Sequence, residues 1–378
     1  MERRHVLFIA NTAWNLANFR RPIITELLNR GDMVTAIAGA DGAEAQLLSM
    51  GCRYESLTID SKGTNPMKDA WLAFSLSRHL AALRPDIILC FTIKPVIYGS
   101  LAAKWRGIAV INTITGLGTA FIEDAWITRV VQWLYKLALP GPLPVVFQNE
   151  DDLALFRERS LIGGNPVTVV AGSGVDLSLF DIVPMPKQGP VTFLMIARLL
   201  GDKGVREYAD AARSVRRSHP NVRFQLLGPL GVANRTAIAQ SELQDWVASG
   251  AVDYCGETDD VRPFIAAAHC AVLPSYREGM PRVLLEAAAM GRPLIATDVT
   301  GCREVVIDGS NGFLCRVRDA GDLALKMEAF LALPPDTQRR MGEASRAIAM
   351  QRFDARGVAA TYLGLIDKQL SETGSEAP

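Results

Sequence analysis

From one end of the chain to the other, short runs of consecutive apolar residues alternate with longer stretches whose apolar positions recur every three or four residues. A strand that is apolar on successive residues must be buried on both faces, and flanking helices are what bury it. The alternation therefore predicts an α/β protein with parallel sheets covered by helices. In the first half the expected strands are residues 6–10, 33–39, 54–59, 86–91, 109–115, 145–148 and 167–171, with helices at 21–29, 67–83 and 126–139. The pattern breaks at Pro184-Met185-Pro186-Lys187-Gln188-Gly189-Pro190, which suits a linker. It then restarts, with strands expected at 191–197, 222–227, 252–254, 270–274, 293–297 and 313–317, and helices at 205–217, 261–268, 281–290, 320–331 and 355–370.

At 378 residues the chain exceeds one typical core. Two doubly wound, Rossmann-like domains are expected, residues 1–182 and 183–352, followed by a terminal helix within 353–373. Such a pair is expected to hold its ligand in a cleft between the carboxyl ends of the two sheets. Lys+Arg and Asp+Glu both total 40, so no overall field attracts nucleic acid, and any anion must be met by a local pocket. The six cysteines form no CxxC pair and read as buried hydrophobes of a reducing compartment. Four widely spaced histidines make no zinc site, so no metal is expected. The opening apolar run is too short for a signal peptide and ends in Asn11-Thr12, and no stretch is long and apolar enough to span a bilayer. A cytoplasmic protein is expected. Ala10-Asn11-Thr12-Ala13-Trp14 lacks the glycine fingerprint that NAD binding would require after the first strand.

Two segments carry chemistry. In Leu273-Pro274-Ser275-Tyr276-Arg277-Glu278-Gly279-Met280-Pro281-Arg282-Val283-Leu284-Leu285-Glu286, a buried strand ends, a loop presents Glu278, and Gly279 lets a ligand approach the backbone. Pro281 suits a first helical turn, so a helix is expected to start there with its amino end toward an anionic diphosphate. Glu278 and Glu286 then lie at different depths and can hold two hydroxyl-bearing parts of one ligand; ordinary surface charges are the other reading. In Met195-Ile196-Ala197-Arg198-Leu199-Leu200-Gly201-Asp202-Lys203-Gly204, Arg198 and Lys203 follow the first strand of the second domain. A guanidinium fork and a mobile ammonium suit phosphate oxygens and could offset a departing diphosphate without a metal; solvated loop charges would look the same in sequence.

Together, Arg198 with Lys203, Glu278 and Glu286 spaced as E-x7-E, Gly291-Arg292-Pro293-Leu294-Ile295-Ala296-Thr297-Asp298 and Asn311-Gly312-Phe313-Leu314 resemble the donor domain of retaining GT-B glycosyltransferases of family 4. The likeness is tight over about residues 191–318 and looser elsewhere. It implies that Glu278 binds donor-sugar hydroxyls near the reacting centre, with Gly279, Met280 and Pro281 beside it. Glu286 would hold the ribose, Arg198 and Lys203 would stabilise the diphosphate, and the loop of Gly256 and Thr258 would lie near the base. No enzyme nucleophile and no cofactor beyond the nucleotide-diphosphate sugar co-substrate are implied. UDP is the expected carrier. The final helix would cross back to the first domain.

In the first domain, Trp14-Asn15-Leu16-Ala17-Asn18-Phe19-Arg20, Thr92-Ile93-Lys94-Pro95-Val96-Ile97-Tyr98-Gly99 and Asn112-Thr113-Ile114-Thr115-Gly116-Leu117-Gly118 resemble bacterial transferases that extend lipid-diphosphate-linked surface glycans. Asn18, Arg20, Lys94, Thr115 and Gly116 would then face an acceptor, a glycan or a lipid-linked one, with Arg20 and Lys94 meeting its diphosphate. The bland reading is that Arg20 and Lys94 contact helix ends or carboxylates of their own domain. Many family members carry a histidine here near the transferred sugar; this chain reads Ile114-Thr115-Gly116-Leu117, so backbone groups or Thr115 would replace it, with Glu123 and Asp124 the nearest carboxylates in sequence. The stretch Trp126-Ile127-Thr128-Arg129-Val130-Val131-Gln132-Trp133-Leu134-Tyr135-Lys136-Leu137 suits either a helix packed on its own sheet or peripheral contact with the inner membrane. A nucleotide-sugar 2-epimerase or a non-catalytic sugar-nucleotide binder would share the layout. The shortage of histidine disfavours the first, and the filled set Arg198, Lys203, Glu278 and Glu286 the second.

Overall fold

The computed structural model describes residues 3–60, 63, 65–116, 125–139, 141–232 and 234–375. The chain divides into two compact units, one comprising Met1–Ser173 with Ala355–Pro378 and the other Gly174–Asp354. Each is built on its own parallel sheet.

In the first unit, β1 (His5–Thr12), β2 (Met33–Gly39), β3 (Arg53–Ser56), β4 (Ile87–Phe91), β5 (Ala109–Ile114), β6 (Val145–Phe147) and β7 (Val167–Val169) form one sheet in the order β3-β2-β1-β4-β5-β6-β7. Every pairing is parallel. The expected double burial is visible along β1, where successive side chains enter opposite cores. Leu7 and Ile9 join Ile88, Cys90 and Leu76 on one face, while Val6 and Phe8 join Leu89, Phe91 and Ile24 on the other. The helix Ala355–Ser375 packs on the second of these faces through Val358, Ala359, Tyr362, Leu363 and Ile366. The Tyr362 hydroxyl lies 2.9 Å from Thr113 Oγ1, and Asp367 receives Arg4 at 2.5 Å and Arg30 at 3.2 Å.

In the second unit, β8 (Thr192–Ile196), β9 (Arg223–Leu227), β10 (Asp253–Tyr254), β11 (Cys270–Leu273), β12 (Leu294–Thr297) and β13 (Gly312–Cys315) run in the order β10-β9-β8-β11-β12-β13, again all parallel. In its core Phe193 stacks on Phe224 and meets Phe330 edge to face, with ring centroids 5.4 and 5.8 Å apart.

All thirteen expected strands are present, shifted by a few residues at their ends. The proline-rich stretch expected to separate the domains lies inside the second unit, which begins at Gly174. Arg292 explains much of this. Its side chain is fully buried and donates only to backbone carbonyls, reaching Val183 at 2.9 Å and Pro184 at 3.3 Å as well as Ile265 and Ala266. Burial draws its pKa down to about 10. Arg346 adds a bond to the Phe180 carbonyl at 2.9 Å. An 18-residue helix, Pro335–Arg352, and the shorter helices Ala13–Phe19 and Gln240–Ala248 were not foreseen, because polar residues dominate the first and length limits the others.

Candidate active site

In a doubly wound sheet, the loops leaving the two strands where the order reverses diverge and open a crevice. In the second unit that point lies between β8 and β11. Beyond β8 the chain makes a single 3-10 turn, Gly201–Lys203, and then Gly204 adopts a left-handed backbone with φ of 74°. A Cβ there would stand 2.1 Å from the Pro274 carbonyl oxygen at the end of β11, so only glycine lets the two loops lie together. The contact brings the chemistry with it. Lys203 Nζ donates to Glu278 Oε1 at 2.6 Å, and both side chains are largely buried. The Tyr276 amide donates to the Asp202 carbonyl at 2.9 Å, and the Asp202 carboxylate accepts the Thr236 hydroxyl. Residues 75 positions apart in sequence thus become one pair.

Glu278 is fixed from a third side by the helix Thr300–Val305. The Gly301 amide donates to the Glu278 carbonyl at 3.2 Å, and a Cβ on Gly301 would lie 2.4 Å from the Gly279 carbonyl oxygen. Arg198, two residues beyond β8, is exposed, and its guanidinium has no hydrogen-bond or ion-pair partner among the described residues. A charged fork held at a strand end without a counter-ion is suited to receive an anion.

The helix that follows runs Arg282–Ala289, with Pro281 as its N-cap and not its first helical residue. Gly279 and Met280 are half-buried ahead of it and Pro281 is buried. Glu286 lies inside the helix and is 9% exposed. Burial raises its pKa above the usual carboxylate value, opposed by the nearby charge and hydrogen bond of Arg282, whose Nε donates to Oε1 at 2.7 Å. Arg282 escaped the sequence reading, although its position one turn before Glu286 is the spacing at which helical charges meet. Tyr276 was also missed. Its hydroxyl donates to Glu207 at 2.7 Å, the Arg318 guanidinium lies 4.6 Å over its ring, and burial beside Glu207 pushes its pKa up to about 12.

Gly256 and Thr258 follow the edge strand β10. Gly256 has φ of 76°, and its carbonyl accepts the Gly228 amide at 2.7 Å, tying together the loops after β9 and β10. Thr258 is exposed and its hydroxyl closes a local turn with Asp260.

The first unit has its own reversal point between β1 and β4. Asn18, on the helix Ala13–Phe19 after β1, donates to the Trp14 carbonyl at 3.1 Å. Arg20 is 1% exposed and stacks 4.1 Å over the ring of Phe91, which itself neighbours Tyr362. Lys94, after β4, donates to Asp69 at 2.5 Å, and the Tyr98 hydroxyl takes the other Asp69 oxygen at 3.0 Å. Lys94 thus meets a carboxylate of its own unit, whereas Arg20 lies against an aromatic ring. Thr115 and Gly116 lie half-buried just past β5, Gly116 with φ of 112°. Leu117, Gly118, Glu123 and Asp124 fall outside the described residues. His5 is structural: Nε2 meets the Thr35 hydroxyl at 2.8 Å, Nδ1 the Leu83 carbonyl at 3.2 Å, and burial lowers its pKa.

Comparison with known proteins finds similarity over both halves of the chain. A family model described as "Glycosyl transferases group 1" covers residues 190–332, and one described as "Glycosyl transferase 4-like" covers residues 5–146. The chain is 29% identical over 380 residues to the N,N'-diacetylbacillosaminyl-diphospho-undecaprenol alpha-1,3-N-acetylgalactosaminyltransferase of Campylobacter jejuni, covering 96% of this chain and 98% of that protein. It is 31% identical to the putative glycosyltransferase EpsD of Bacillus subtilis, over 72% of this chain and 74% of that one. Among solved structures, sucrose-phosphate synthase from Thermosynechococcus elongatus superposes with a TM-score of 0.81 at 19% identity, covering 98% of this chain and all of that one, a likeness of fold. With both halves matched by family models and a relative above 30% identity spanning most of its length, the chain belongs to the group 1 glycosyltransferases of GT-B fold, family 4, and is a sugar-transferring enzyme.

Proposed function

We propose that this enzyme transfers a hexose or N-acetylhexosamine, with retention at the anomeric carbon, from a nucleotide-diphosphate sugar to a glycan acceptor carried on a polyprenyl diphosphate. The observation that carries the proposal is the Lys203–Glu278 pair at the reversal point of the second sheet, with Arg198, which has no counter-ion among the described residues, beyond the same strand β8 as Lys203. An incoming diphosphate would compete for Lys203 and join Arg198, and the freed Glu278 carboxylate would accept hydroxyls of the donor sugar. As the glycosidic bond breaks, two cations beside the leaving diphosphate stabilise the charge that develops there, the function a metal ion performs in other transferases. Turnover should therefore survive chelation of divalent metals.

Glu286, braced by Arg282, supplies a carboxylate suited to a ribose diol, and the loop of Gly256 and Thr258 flanks the base. UDP is the proposed carrier. The acceptor reading rests on the Campylobacter relative, whose name specifies a diphospho-undecaprenol acceptor and an N-acetylgalactosaminyl donor group. Asn18, Thr115 and Gly116 at the ends of β1 and β5 are the proposed acceptor contacts, together with Lys94 if the acceptor's diphosphate displaces Asp69. Arg20 would serve by supporting Phe91 from below. Such an acceptor sits in a bilayer, and the proposed working location of the enzyme is accordingly the cytoplasmic face of the inner membrane.

The test is a calorimetric panel of UDP-, GDP- and ADP-sugars followed by a transfer assay on a synthetic polyprenyl-diphosphate glycan in the presence of EDTA. Retention is read from the anomeric coupling in the product. Failure of every nucleotide to bind, full activity in Lys203→Met and Glu278→Gln, or an inverted product would each overturn the reading.

A further inference from the structure

One face of the first sheet is covered by the helices Pro66–Leu83, Ser100–Arg106 and Ala125–Ala138, all of which contribute to the same core. Their outer surfaces are unlike the rest of this charge-balanced chain. On the first helix, Met67, Trp71 and Phe74 recur at helical spacing on the outer face and are 80, 55 and 59% exposed, with exposed Arg78 one turn further on. The second presents Trp105, 66% exposed, between exposed Lys104 and Arg106. The third presents Val130, Trp133 and Leu137 at the same spacing, Trp133 being 60% exposed, with Arg129 and Lys136 beside them. Soluble surfaces seldom gather so many large apolar side chains.

The charge on this face is one-sided. The only acid in the three helices is Asp69, which is already held by Lys94 and Tyr98. Arg78, Lys104, Arg129 and Lys136 have no carboxylate partner among the described residues. An acidic helix, Glu150–Glu158, bounds the patch beyond Tyr135, whose ring meets Phe156 at 5.1 Å. A second copy of this face would oppose like charges, so self-association is disfavoured; an anionic surface with an apolar interior satisfies both components at once. No helix among the described residues is long and apolar enough to cross a membrane, so these helices would lie on it.

We infer that the surface formed by Met67, Trp71, Phe74, Trp105 and Trp133, with their interleaved cations, docks this enzyme on an anionic lipid bilayer. Tryptophan rings suit the headgroup level, and each Lys or Arg near an anionic leaflet adds about fivefold to partitioning. The inference rests on this surface alone, not on the identity of donor or acceptor.

The experiment is flotation of the full chain with phosphatidylcholine vesicles, either pure or containing roughly a third phosphatidylglycerol, a strongly anionic surface. Two variants are compared: Trp71→Ser/Phe74→Ser/Trp133→Ser, and Arg78→Glu/Lys104→Glu/Arg129→Glu. Unchanged melting temperatures show that both fold, and nucleotide affinity, a property of the second unit, reports separately on the transferase reading. The expected result is binding to anionic vesicles only, weakened about 100-fold or more by the three charge reversals and abolished by the aromatic triple. No wild-type binding, equal binding to both vesicle types, or binding that survives either variant would overturn the inference. So would a dimer that the aromatic variant dissolves while vesicles are ignored, which would assign the face to a second copy.

Discussion

Glu286→Gln separates the cost of a buried carboxylate from its use. In the wild type the group is 9% exposed and one of its oxygens takes Arg282 Nε at 2.7 Å. Replacing it with the isosteric amide loses a charge-assisted hydrogen bond, worth about 1.5–3 kcal/mol. It also removes the desolvation that raises the carboxyl pKa, and Arg282, being about a quarter exposed, can turn to water. These terms oppose each other, so unfolding in urea at neutral pH should change by no more than about 1 kcal/mol. The pH dependence has a definite sign. A carboxyl whose folded pKa lies above its unfolded value binds its proton more tightly when folded, so its penalty is absent at low pH. The penalty appears as pH rises above the ordinary value of 4.5 and is complete beyond the raised folded pKa. Glu286→Gln should therefore gain stability relative to the wild type as pH rises through that window. Nucleotide binding should move the other way. Losing one charged bond to a ribose hydroxyl would weaken Kd for UDP by about 10- to 150-fold, measured by calorimetry, and wild-type binding should itself fall on acidification through the folded pKa. An unchanged Kd in a folded Glu286→Gln protein, or a stability loss above about 3 kcal/mol, would refute a role in ligand binding held at a stability cost.

Arg198→Ala should leave stability within about 0.5 kcal/mol, since the side chain is exposed and has no partner among the described residues, while transfer falls by about 10²–10³-fold; a destabilised or fully active variant would exclude it from the reaction. Gly204→Ala forces a left-handed alanine and drives a Cβ to within 2.1 Å of the Pro274 oxygen, so the melting temperature should drop with a loss of about 2–4 kcal/mol. An unaltered melting curve would contradict the close contact of the two loops. A double-mutant cycle with Lys203→Met and Glu278→Gln should give a coupling of about 1–3 kcal/mol in urea unfolding, and additive effects would mean that the 2.6 Å pair is not formed in solution.

Periodicity alone places the two sheets, because a parallel strand buried on both faces and the helix that covers it leave different apolar spacings, each set by a few neighbouring residues. The site segments are legible for a similar reason: Arg198, Lys203 and Glu278 sit in the loops that follow β8 and β11, and a doubly wound sheet puts its ligand there. What surrounds each charge could not be read the same way. Lys94 and Arg20 look alike in sequence, yet one meets Asp69 on the helix Pro66–Leu83 and the other is sealed over Phe91. Likewise, Pro184–Pro190 reads as a linker until the buried Arg292, more than 100 positions later, ties Val183 and Pro184 to the second unit. Local spacing decides whether a residue is buried, but its partner is decided by the order in which strands are laid side by side. That order is a property of the packed sheet, where a fully desolvated cation must find carbonyls or a carboxylate wherever along the chain they lie.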